Sequence, residues 1–161
     1  MKNLLKNKNL IVLITVALIA VLLYFVSGNM RGEQNSASIT IDGKKIEVEL
    51  AQTVEEKARG LSARASLPKE KGMLFIFDEP DKHTFWMKGM KFGLDFIWIK
   101  DGEIVDVHYN VPPPNKNTGS LPVYSPREPV DMVLEVNAGW IRDNFGNENI
   151  IGKSAELAIP Q

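Results

Sequence analysis

Trp86 and Lys88 stand two positions apart in the run Phe85-Trp86-Met87-Lys88, and on an extended backbone they share a face. An indole there can stack on a sugar or another flat ligand while the ammonium meets its charge; the plainer use is Trp86 packed on the domain and Lys88 paired with a carboxylate. Arg59 and Arg64 flank the Gly60-Leu61 turn, where two guanidinium groups can clamp a carboxylate or phosphate, although Arg59 at a helix end can equally pair with Glu55 one turn back. Asp95, Asp106 and His108 form a candidate acid–histidine cluster suited to proton transfer or to half a metal site. Glu135 and Asn137 precede Trp140 at a strand end, a place for ligand contacts or simply for a turn. His83, Met87 and Met90 offer imidazole and thioether ligands of the kind Cu(I) prefers, but alternation puts Met87 and Met90 on opposite faces unless a bulge intervenes.

The elements that must position these groups follow from pattern. Ser38 to Leu50 reads as strand, Asp42-Gly43 turn, strand, with Ile39 opposite Ile46 and Val48 on the same face. Thr53 and Glu56 have the spacing of a capping box, and Val54, Ala58 and Leu61 recur at helical intervals. Pro68 and Gly72 end that element, and Met73 to Phe77 is a continuous apolar run suited to a strand covered on both faces. A second hairpin turns at Asp101-Gly102. Its simplest register pairs Ile99 with Ile104, Trp98 with Val105 and Phe96 with Val107, which sets Asp95 opposite His108 with Asp106 on their face. Val111 to Pro129 is proline-rich but holds Leu121, Val123 and Tyr124, the pattern of a long loop packed on the domain. Met132 to Val136 alternates as a strand, Trp140 to Phe145 forms a helical turn or two before Gly146, and Glu156 to Ile159 supplies a last strand. The expected fold is α+β: a mainly antiparallel, barrel-like β domain with two short helices.

Composition narrows the chemistry. The 161 residues contain no cysteine, which excludes disulfides, thiolate metal sites, iron–sulfur clusters and a cysteine nucleophile. No Gly-x-Ser-x-Gly elbow supports a serine hydrolase, and no cofactor is expected. Leu10 to Val26 carries no charge and as a helix would span about 25 Å, near the thickness of a bilayer core. Lys2, Lys6 and Lys8 precede it, so the positive-inside rule predicts a cytoplasmic tail (1–9), a membrane anchor or signal segment (10–27), a linker (28–37) and an extracytoplasmic domain (38–161). Cleavage near Val26 to Gly28 would make the domain secreted. With those three lysines set aside, 16 basic residues face 20 acidic ones, a balance that argues against a nucleic-acid partner.

Several short runs form a set: Glu49-Leu50-Ala51, Thr53 to Glu56, Arg59-Gly60-Leu61, Arg64, Gly72-Met73-Leu74-Phe75, Phe85-Trp86-Met87-Lys88, Leu94-Asp95, Asp101-Gly102 and Val133 to Trp140. Taken in order, they resemble the DUF192 family, also called UPF0127. The sequence departs from that family's usual pattern at Ser62, where methionine often follows Gly-Leu, and at Gly89-Met90, where Asn-Thr is frequent. The resemblance implies a compact β-rich, barrel-like domain, often exported or membrane-anchored, and it supplies no catalytic residues. Residues and resemblance together lead to the expectation of a binding or accessory module whose partner is a small molecule, a glycan or an envelope protein. The alternatives are an enzyme acting on envelope material through Asp95 or Glu135, and Cu(I) binding through His83, Met87 and Met90.

Overall fold

A computed structural model of the protein describes residues 37–115 and 121–160. The expected tail, apolar segment and most of the linker lie outside these residues. No helix among those described is long and apolar enough to cross a membrane.

The first hairpin forms as its turn chemistry demands. Strands β1 (Ala37–Ile41) and β2 (Lys44–Ala51) pair with Ile39 opposite Ile46, and Asp42 and Gly43 take φ of 47° and 77°, the left-handed pair of a type I′ turn. Helix α1 (Val54–Arg59) follows. Its Thr53 hydroxyl accepts from the Glu56 amide at 3.2 Å, and the Glu56 carboxylate accepts from the Thr53 amide at 3.0 Å, so the capping box is complete. The expected apolar face is not packed: α1 buries no residue, Val54 is 77% exposed, and only Leu61, beyond the helix, enters the core. Spacing alone did not reveal that α1 serves as a crossover between strands that run parallel, a connection that needs length more than a buried face.

That crossover delivers β3 (Lys71–Asp81) parallel to β2, with Glu49 beside Met73 and Ala51 beside Phe75. The remaining elements are β4 (Phe85–Trp86), β5 (Leu94–Lys100), β6 (Glu103–Val111), β7 (Val123–Tyr124), β8 (Val130–Asn137), α2 (Trp140–Phe145) and β9 (Ala155–Ala158). Seven strands form one sheet in the order β6-β5-β8-β3-β2-β1-β9, antiparallel except at β2–β3. The domain is therefore mostly β, and its curled sheet is a mixed half-barrel, mainly antiparallel as expected but with one parallel pair. Its two outer strands meet at one corner: the Ile104 amide donates to the Lys153 carbonyl at 3.0 Å and the Ala155 amide to the Gly102 carbonyl at 2.8 Å.

Both faces of the sheet are covered, which explains why β5 reads as an unbroken apolar run. One face packs Ile39, Ile46, Leu74, Ile97 and Leu134 against Trp140 and Ile141 of α2. The other packs Met73, Phe75, Phe96 and Trp98 beneath loops and the small β4–β7 ribbon, in which Phe85 pairs with Tyr124 and Trp86 with Val123. The proline-rich loop thus contributes a strand, β7.

The second hairpin corrects the expected register. Ile99 pairs with Ile104, but a bulge at Val105 then sets Trp98 opposite Asp106, Ile97 opposite Val107 and Phe96 opposite His108. One extra residue moves every later side chain to the other face. Asp95 and His108 consequently lie on opposite faces, and the predicted acid–histidine cluster does not form.

Candidate functional site

The parallel crossover lays the end of α1 over the face that carries Phe75 and Phe77, opening a cleft of about 310 Å³ between α1 and the β4 ribbon. Lys57 and Arg59 line it from the helix, Phe77 and His83 from β3 and the loop beyond, and Trp86 from β4. Gly60 permits the close approach. Its φ is +48°, and a β-carbon there would stand 3.3 Å from the Phe75 ring. The Gly60-Leu61 turn is then tied across the cleft, with the Ser62 hydroxyl donating to the Lys88 carbonyl at 2.9 Å and the Ala63 amide to the Gly89 carbonyl at 3.0 Å.

Aromatic rings stack from the core outward to this cleft. Phe85 meets Phe75 edge-on at 4.9 Å and Trp98 at 5.5 Å, while His83 lies flat on Phe77 at 3.5 Å. The Lys57 ammonium sits 4.6 Å over the Phe77 ring, and Lys88 sits 5.0 Å over Trp86, whose indole is 55% exposed. Trp98 and Trp140 are buried.

Glu135 enters from β8, flanked on its row by Met73 of β3 and Phe96 of β5. It is buried, it lines the cleft, and among the described residues its carboxyl makes no hydrogen bond or ion pair. Loss of water around it pushes its pKa from the ordinary 4.5 up to about 8, so the carboxylic acid is the prevailing form at neutral pH. A buried acid without an internal partner, open to a cleft, can take its partner from water, a ligand or a reacting group.

Trp86, Arg59 and Glu135 thus share one cleft, with Lys88 over its exposed indole. The other candidates lie elsewhere. Arg64 is held by Glu49 through two bonds of 2.6 and 2.8 Å, a pairing that lowers the carboxylate's pKa and raises the guanidinium's. Asp95 is fully buried and accepts from the amides of Asn110, Gly139 and Ile141 at 2.7, 3.2 and 3.0 Å. It caps α2, whose own N-cap, Gly139, has no side chain to do so. Asn137 donates its amide to the carbonyls of Leu67 and Pro68 at 3.0 and 3.1 Å. It borders a second cavity of about 580 Å³ whose acids, Glu70 and Asp143, are exposed, so that space is larger but holds no desolvated group.

Asp106 accepts from the Val107 and Arg127 amides and pairs with the Arg127 guanidinium at 3.3 Å. His108 accepts from the buried Trp98 indole N–H at 2.8 Å, which commits its Nδ1. Of the copper candidates, His83 and Met90 line the cleft while Met87 is turned into the core. No group of three or more His, Asp or Glu residues suited to a metal occurs among the described residues. Sequence reasoning missed Lys57, Phe75 and Phe77 as cleft walls. The period-two spacing of Phe75 and Phe77 marks a common face, but only the crossover determines that this face is partly left open.

Comparison with known proteins fits this architecture. No curated protein matches the chain. A crystal structure described as a candidate transcription regulator from Sinorhizobium meliloti 1021 is similar at 30% identity with a TM-score of 0.64, over 76% of this chain and 92% of that one. A protein of unknown function from Novosphingobium aromaticivorans DSM 12444 is similar at 29% identity with a TM-score of 0.62, over 75% of this chain and 83% of that one. The family profile of DUF192, described as Uncharacterized ACR, COG1430, matches residues 37–146, and the chain belongs to that family.

Proposed function

We propose that the domain is a membrane-tethered binding or accessory module on the extracytoplasmic side, and that its cleft receives a small ring-bearing molecule, an envelope metabolite or a sugar unit. One observation carries the reading: an exposed indole, Trp86, shares a cleft with Glu135, a buried acid that has no internal partner among the described residues. Three lysines before the apolar Leu10–Val26 segment support the orientation. The acidic balance beyond those lysines gives no reason to extend the transcription-regulator description of the Sinorhizobium protein to this chain.

The test uses the full chain in nonionic micelles and acrylamide quenching of tryptophan. Because Trp98 and Trp140 are buried, quenching reports chiefly on Trp86. A ligand of the cleft slows quenching and raises the melting temperature, and Trp86→Ala removes the thermal shift. A ligand that stabilises the protein equally in Trp86→Ala would place binding elsewhere and overturn the cleft reading.

A second reading, an enzyme using Glu135 as general acid, is favoured by the same raised pKa near 8. Among the described residues Glu135 is the only carboxylate lining the cleft, so two-carboxylate glycoside hydrolysis finds no second group among them. Release of product from a bound envelope sugar, abolished by Glu135→Gln while binding persists, would select this reading over binding alone.

A further inference from the structure

We infer that the cleft selects ring-bearing monocarboxylates, sugar acids or aromatic acids, whose ring lies against Trp86 and whose carboxylate is drawn by Lys57 and Arg59, with Glu135 lining the same cleft. The inference deepens the proposed binding function and rests on it. Its first support is the charge of the walls. Lys57 and Arg59 line the cleft, and among the described residues neither makes an ion pair; Arg59 interacts with Glu49 and Glu56 only at longer range. Arg64, Lys71 and Lys153 on the same domain are each paired within 3 Å. The two cations of the cleft are therefore available to an anion.

The second support is the character of the one acid that lines the cleft among the described residues. A buried Glu135 in its protonated form offers a hydrogen-bond donor, and a ligand carboxylate is its natural acceptor, giving a shared proton where two ionised carboxylates would repel. The third is size. A cavity of about 310 Å³ is at the lower end of small-molecule sites and suits a single substituted ring. The exposed Trp86 indole supplies a flat apolar surface for it.

Ionising Glu135 removes the donor and adds repulsion, so acid binding weakens above about pH 8. The charged or titratable neighbours are few. Lys57 and Arg59 come from α1 and His83 from the β3–β4 loop, while Met73 and Phe96 beside Glu135 are uncharged. Farther along its row lie Glu49, paired with Arg64, and His108, bonded to Trp98.

The experiment is calorimetric titration of the full chain in nonionic micelles with D-galacturonate and phenylacetate, each against its neutral counterpart, galactose and phenylacetamide, and its cationic counterpart, galactosamine and phenethylamine. The expected result is at least about tenfold tighter binding of one acid than of its neutral and cationic partners, a difference of about 1.4 kcal/mol. Which acid binds separates the sugar source from the aromatic one. Lys57→Met with Arg59→Met, both on a helix that buries nothing, reduces the acid to the level of its neutral partner. Glu135→Gln, which keeps a donor, retains acid binding at pH 7 and loses the weakening above pH 8. Equal or tighter binding of the neutral or cationic compounds, still dependent on Trp86, overturns the inference and leaves the cleft standing. Failure of every probe to bind overturns the inference and the cleft reading with it.

Discussion

Glu135 and Asp95 are both buried carboxylic residues, and what surrounds each decides its role. Asp95 is met by three backbone amides, so its oxygens are committed to the frame. Asp95→Ala strands the buried Gly139 and Ile141 amides and is expected to cost about 3 kcal/mol in urea denaturation, with Asp95→Asn recovering part of the loss. Glu135 has no such partners, and its raised pKa makes it a source of pH dependence. Because the folded protein holds this proton more tightly than the unfolded chain, the contribution of Glu135 to stability is fully present below the unfolded value near 4.5 and is lost as pH rises toward the folded value of about 8. At about 1.4 kcal/mol for each pH unit of that window, the loss reaches up to about 5 kcal/mol. Urea midpoints between pH 5 and pH 8.5 should show this decline in the native protein, and Glu135→Gln should flatten it. A native profile as flat as the variant's would mean that the acid is hydrated in the cleft and ionised at neutral pH.

At the scale of elements, caps and turns were legible because their chemistry is local. Thr53 with Glu56, Asp42-Gly43 and Asp101-Gly102 form the cap and turns that their residue types specify. What could not be read was non-local. The bulge at Val105 has no residue signature, yet it moves His108 away from Asp95; the parallel β2–β3 pairing leaves no mark in either strand, yet it brings α1 over the cleft. Helix α1 contributes Lys57 and Arg59 while burying nothing, so its integrity depends on its cap. Thr53→Ala is expected to cost α1 about 1 kcal/mol, about a fivefold rise in hydrogen exchange at amides 57–60, with the global unfolding midpoint little changed. A large drop in that midpoint would show that α1 carries core stability its burial does not reveal.

At the scale of the molecule, membership of DUF192 and a β-rich domain were legible from ordered short motifs, whereas the cleft came from combining segments far apart in the chain: α1, the Phe75–Phe77 strand, the Trp86 ribbon and Glu135. Of the residues first singled out, Trp86, Arg59 and Glu135, with His83 and Met90 of the copper candidates, line it, because residue type announces capacity and topology decides company. The half-barrel also has a dependence that no single strand discloses. Strand β9 covers the outer edge of β1, and the turn before it bonds to the β5–β6 hairpin while Lys153 bridges Asp42 and Glu148 at 2.7 Å each. Without β9, β1 becomes an open edge with Ile39 and Ile41, both fully buried in the intact fold, beside it. A chain ended after Lys153 is therefore expected to lose stability and to self-associate, seen as a shift to larger species in sedimentation velocity, whereas removing only Ile159 to Gln161, beyond β9, should leave a species of native size. If the longer truncation stays at native size with a native melting temperature, closure of the half-barrel is not what protects β1, and the loops over that edge must do so instead.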